Sequence, residues 1–124
     1  MSKIIQAVNV MITNEQKISS VLPGQLSGEI FFLFNKKHKW SIYKQESGEY
    51  FLTYYPGPQP LEYFADMSEE DAAIFTEVVI YNSKSIGTKE GYASLKELYT
   101  ILQEKLYGMD KVLNDIIESD DIPF

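Results

Sequence analysis

Three prolines within five residues, Pro56-Gly57-Pro58-Gln59-Pro60, set the strongest limit on how this chain can fold. Each removes a backbone donor and fixes φ, so neither a central strand nor a helix can run through the segment. It divides the chain into two unlike halves. Before it, β-branched and aromatic residues fall into short runs that predict strands near 4–12, 17–22, 29–34, 39–45 and 49–55. Thr13 to Gln16, Pro23-Gly24, Asn35 to His38 and Glu46-Ser47-Gly48 supply the turns between them.

After the prolines the pattern becomes helical. Ser68 followed by Glu69, Glu70 and Asp71 is a helix start, a hydroxyl cap with carboxylates in the first turn. That helix extends to about Asn82, with Val78 to Tyr81 as an alternative strand. Leu95, Leu98, Leu102 and Leu106 mark one face of a helix from Tyr92 to Gly108, and Asp110 opens a second one carrying Val112, Leu113, Ile116 and Ile117. At 124 residues the chain has room for one core, taken here as a domain over 1–117 followed by an acidic tip over 118–124.

Charge separates the halves as sharply as patterning does. Residues 1–60 hold six lysines against four glutamates, a net of +2, and residues 61–124 hold five lysines against fourteen acids, a net of −9. Arginine is absent, so the bidentate guanine contacts typical of sequence readers are not available. Any nucleic-acid binding is therefore expected to be led by the backbone and tolerant of sequence.

Cysteine is also absent, which excludes disulfides and thiolate chemistry and fits a reducing cytoplasm. The N-terminal residues lack the apolar stretch of a signal peptide, and no apolar run approaches the roughly 20 residues of a membrane span.

Little in the sequence supports catalysis. His38, the single imidazole, lies among Lys36, Lys37 and Lys39, where positive neighbours disfavour a metal or general-base role. Glu69-Glu70-Asp71 has a sufficient structural reason at a helix start without a magnesium ion. No metal, cofactor or catalytic residue is expected.

Base stacking is better supplied, because rings and lysines interleave between Phe31 and Tyr55. Alternation along 39–45 puts Trp40 and Ile42 toward the core and Lys39, Ser41 and Tyr43 toward water; in 49–55 it puts Tyr50, Leu52 and Tyr54 inward. Tyr43, Phe51 and Tyr55 are thus the stacking candidates, with Lys36, Lys37, Lys39 and Lys44 as phosphate contacts.

The final residues, Asp120-Asp121-Ile122-Pro123-Phe124, form a peptide grip. Phe124 would enter an apolar pocket, its α-carboxylate would meet a basic rim, and the acids before it would steer the approach. Pro123 restricts the free peptide and so lowers the ordering cost. This segment resembles the C-terminal tip of bacterial single-stranded DNA-binding proteins, which docks onto replication, recombination and repair enzymes. In plan the chain resembles the small phage-encoded members more, since no long Gly/Gln/Pro-rich linker precedes the tip.

The resemblance implies an α+β domain whose antiparallel sheet curls into an OB-fold-like small barrel with C-terminal helices. It further implies sequence-independent coating of single-stranded DNA in a bacterial cell or phage-infected host and recruitment of partners through the tip. A dimer or larger homo-oligomer is expected because few lysines per protomer bind weakly unless several protomers share one strand. Two rival readings come from other classes. One is an adaptor or inhibitor that does not bind DNA and mimics the tip to occupy host repair enzymes; the other is a small-ligand module with an aromatic pocket.

Overall fold

The computed structural model describes residues 2–120. The chain begins with a helix where a strand was expected: α1 spans Lys3–Thr13, capped by Ser2, whose hydroxyl accepts from the Ile5 amide at 3.4 Å. Its Ile and Val content suits a strand, but Ile5, Val8 and Met11 recur at helical spacing and are all buried. Burial against another helix outweighs the modest β preference of these side chains. Asn9 Oδ1 accepts from the Ser94 hydroxyl at 2.7 Å and fixes α1 on its helical neighbour.

A short 3₁₀ turn, Glu15–Lys17, leads into the sheet. Strands β1 (Ile18–Pro23), β2 (Glu29–Phe34), β3 (His38–Lys44) and β4 (Tyr50–Tyr54) form an antiparallel meander. Ser68 caps α3 (Glu69–Ile74) by accepting from the Asp71 amide at 3.2 Å, after a one-turn α2 (Leu61–Ala65). The segment left open between helix and strand resolves into both. The helix stops at Ile74, and β5 (Val79–Asn82) pairs with β4, setting Ile80 opposite Thr53. A one-turn α4 (Ser83–Ile86) follows, then α5 (Lys89–Leu106), capped by Thr88, and α6 (Met109–Ser119).

The barrel expectation is overturned. Strand order is β1-β2-β3-β4-β5, β1 pairs only with β2, and β5 only with β4, so the sheet is open and is not an OB-fold. Closure requires the two edges to bond to each other. Here the first segment, which would have supplied another strand, is a helix lying on the sheet, and the far edge is taken by β5.

Each face of the sheet carries its own cover. On one side Phe32, Ile42, Tyr50 and Leu52 pack with Val8 of α1 and with Leu95, Leu98 and Leu102 of α5, all fully buried. On the other, Phe31 packs with Leu61, Phe64 and Ala65 of α2. The molecule is thus a three-layer arrangement with the sheet in the middle.

Candidate functional site

The expected nucleic-acid residues do not converge. Lys36 and Lys37 are exposed at the β2–β3 turn, where Asn35 and Lys36 both adopt positive φ (56° and 61°) and the Lys37 amide bonds the Phe34 carbonyl at 3.3 Å. This is the left-handed geometry of a tight hairpin. Tyr43 lies six residues farther along β3, about 20 Å away at strand rise. Lys39 is already engaged, its Nζ donating to the Gly57 carbonyl at 2.6 Å in the proline-rich segment. Lys44 lies on the other face from Tyr43, its Nζ 6.0 Å from the centroid of the Tyr50 ring.

The three ring candidates also divide. Tyr43 and Phe51 are cross-strand partners, half-exposed and stacked with centroids 6.3 Å apart at 29°. Tyr55 belongs to a different environment: its ring packs on Phe64 at 4.6 Å and on Phe31 at 5.5 Å, and its hydroxyl lies 2.8 Å from Ser41 Oγ. Burial pushes that hydroxyl up to about 12, against the opposing effect of the Ser41 bond. Tyr55 is a packing residue, its ring held between Phe31 and Phe64.

Trp40 stands on the α1–α5 side, edge-on to Tyr54 at 4.9 Å, on the face alternation predicted. His38 opens β3 with Nδ1 3.5 Å from the Tyr54 hydroxyl. Among the described residues, no group of three or more His, Asp or Glu side chains is placed to hold a metal, and no helix is long and apolar enough to cross a membrane.

Sequence reasoning missed a cavity. Between the α2 side of the sheet and α3 lies a recess of about 400 Å³, with Phe31, Tyr55 and Ile80 of the sheet, Phe64 of α2 and Phe75 after α3 on its walls. Glu29 faces into it from β2, directly opposite Tyr43 in register. Burial raises the Glu29 carboxyl above the ordinary range; bonds from the Leu26 and Gln25 amides oppose the shift, and the charge of Glu69 adds to it. Glu29 and Ile80 are fifty-one positions apart, and the β4–β5 pairing brings Ile80 onto the sheet beside this face. The available signal was parity: Glu29 and Phe31 share a strand face and pair with Tyr43 and Ser41, which were expected to face water.

Of the tip, Asp120 is the last described residue and is exposed; Asp121, Ile122, Pro123 and Phe124 lie outside the described residues. Among the described residues, the helix that leads to them touches little besides α5 and buries none of its side chains. Val112, Leu113, Ile116 and Ile117 form an apolar stripe along α6 yet are 42% to 67% exposed. Gly108, at φ 62°, turns the chain between α5 and α6.

Comparison with known proteins finds no matching family model, no matching curated protein and no matching solved structure.

Proposed function

We propose that this chain is a docking protein for bacterial DNA-processing enzymes and engages them through the segment Asp120-Asp121-Ile122-Pro123-Phe124. The observation that carries the reading is the acidic, proline-restrained, aromatic tip itself, attached without a linker to a helix whose apolar stripe is exposed. An eleven-residue helix is marginal in water on its own propensity, and α6 gains little from the body, so engagement by a partner would stabilise helix and tip together. Asp110 and Asp115 border the apolar stripe, which suits a partner groove with a basic rim.

The reading places the action in the bacterial cytoplasm. It is tested by capture from a bacterial lysate with the 124-residue chain, a chain lacking Phe124, and a chain with one added residue. Only the first should retain replication, recombination or repair enzymes; equal capture by all three would remove the proposal.

A second reading, sequence-tolerant binding of single-stranded DNA by an oligomer, is favoured by the Tyr43–Phe51 stack. Against it, Glu29 shares that face, and the lysines are spread over both faces and one turn. A gel shift at low salt separates the readings: binding that weakens steeply with salt supports DNA coating, while capture of enzymes without a shift supports the docking protein alone.

A further inference from the structure

The recess between the sheet and α3 has the build of a ligand site. Its volume, about 400 Å³, is within the range that small organic ligands occupy, and its walls are largely aromatic and aliphatic. Its polar side chains are Gln25, Thr53, Tyr55 and two glutamates, and the Gln25 amide already donates to the Ala65 carbonyl. The Tyr55 hydroxyl is occupied by Ser41, while Glu29 presents a carboxylate from the sheet and Glu69 a second one from α3. None of the described lining residues is basic.

Glu29 has no cation to offset its charge within this recess. Its Oε1 accepts from the Leu26 amide at 3.4 Å, a long contact for a carboxylate that is partly withdrawn from water. A neutral apolar occupant would desolvate the carboxylate further without compensation, which is costly. An anion would be repelled by both glutamates. A cation avoids both penalties and is attracted by both carboxylates.

We propose that this recess binds the ammonium end of an amphipathic amine, with the nitrogen at Glu29 and the apolar body against Phe64, Phe75 and Ile80. The site is independent of the tip and stands whether or not the docking reading does. Two sources share this chemistry, a free alkyl or aryl amine and a lysine side chain presented by a peptide.

The test is an NMR titration of the full chain with hexylammonium, and with hexanoate and 1-hexanol as controls of matched length. Hexylammonium should shift the amide resonances of Phe31, Thr53, Ala72 and Ala73 saturably, while hexanoate leaves them in place. Glu29→Gln, which keeps the side-chain shape and an acceptor oxygen, should weaken hexylammonium at least tenfold without altering the dispersion of the spectrum; Glu69→Gln should weaken it less. Nα-acetyl-lysine amide then identifies the source. Binding at least as tight as hexylammonium assigns the site to a peptide lysine, and weaker binding assigns it to a free amine. Hexanol or hexanoate binding as tightly as hexylammonium, an unchanged affinity in Glu29→Gln, or no saturable shift with either amine would overturn the proposal.

Discussion

The Tyr55 hydroxyl and the Ser41 hydroxyl, 2.8 Å apart, join the end of the β4 ladder to β3 on the α2 side of the sheet. Ser41 is 3% exposed, so this bond satisfies a polar group that has almost no water. Tyr55→Phe leaves the Ser41 hydroxyl without that partner and should cost about 1–3 kcal/mol of stability. Tyr55→Ala also empties the space beside Phe31 and Phe64 and should cost about 3 kcal/mol, at the low end for an aromatic because the ring is only partly enclosed. Urea unfolding at neutral pH measures both.

The same tyrosine gives an alkaline limb to the stability profile. Its pKa is raised from 10.0 to about 12 because the folded state favours the neutral phenol. The stabilisation is therefore complete below pH 10 and is lost as pH climbs toward 12, with an amplitude of order 2 kcal/mol. Tyr50 and Tyr99 are raised in the same direction, chiefly by burial, and steepen the fall. Tyr55→Phe should lose less stability than the parent chain between pH 10 and 12, narrowing the gap between them. Parallel profiles would show that the phenol titrates as in the unfolded chain.

Glu29 makes the opposite prediction at neutral pH. Burial holds its carboxyl above the ordinary carboxylate range, so the folded state favours the protonated form. That preference is fully expressed below the unfolded value of 4.5 and is lost as pH rises through the folded one, leaving the ionised group a cost at pH 7. Glu29→Gln should therefore melt higher than the parent chain at pH 7, with the difference shrinking as the pH is lowered through the folded value toward 4.5. A lower melting temperature at pH 7 would mean that the carboxylate bonds to the Leu26 and Gln25 amides outweigh its desolvation.

If the chain binds single-stranded DNA, the rings should separate by role. Tyr43→Ala or Phe51→Ala should weaken binding by about 1–3 kcal/mol with little loss of fold, as expected when a ring stacks on a base. Tyr55→Ala should lower stability, and any loss of DNA affinity should disappear when its folded fraction is matched to the parent. Fluorescence anisotropy with labelled oligothymidylate, run beside thermal melts, distinguishes these outcomes.

Strands β2 to β4 could be read from alternation because each has one row of large apolar residues aimed at α1 and α5: Phe32, then Ile42, then Leu52. Trp40 and Tyr50 fall on that side as alternation predicts. The other row misled, since Ser41 and Tyr55 are polar enough to suggest a wet face. Leu61 and Phe64, immediately after the prolines, supply a second layer over it. Similarly, Ile4, Ile5, Val8 and Ile12 read as a strand by residue type, while the docking of α1 on α5 depends on contacts such as Asn9 with Ser94, eighty-five positions apart. Barrel closure failed for the same reason, because which edges meet is a property of the whole layer order. The tip is a reading of the sequence alone, since beyond Asp120 it lies outside the described residues.

The bareness of α6 bears on how the two proposed sites relate. Eleven helical residues reach about 16 Å, and beyond the turn at Gly108 their apolar stripe stays open to solvent, so α6 acts as a mast attached at its foot. Energetic coupling between distant sites needs a packed element with two arrangements that both sites bias. Among the described residues, α6 meets the body chiefly through α5, which packs on the sheet face opposite the recess. An amine in the recess and a protein on the mast should therefore bind with additive free energies, each indifferent to whether the other is present.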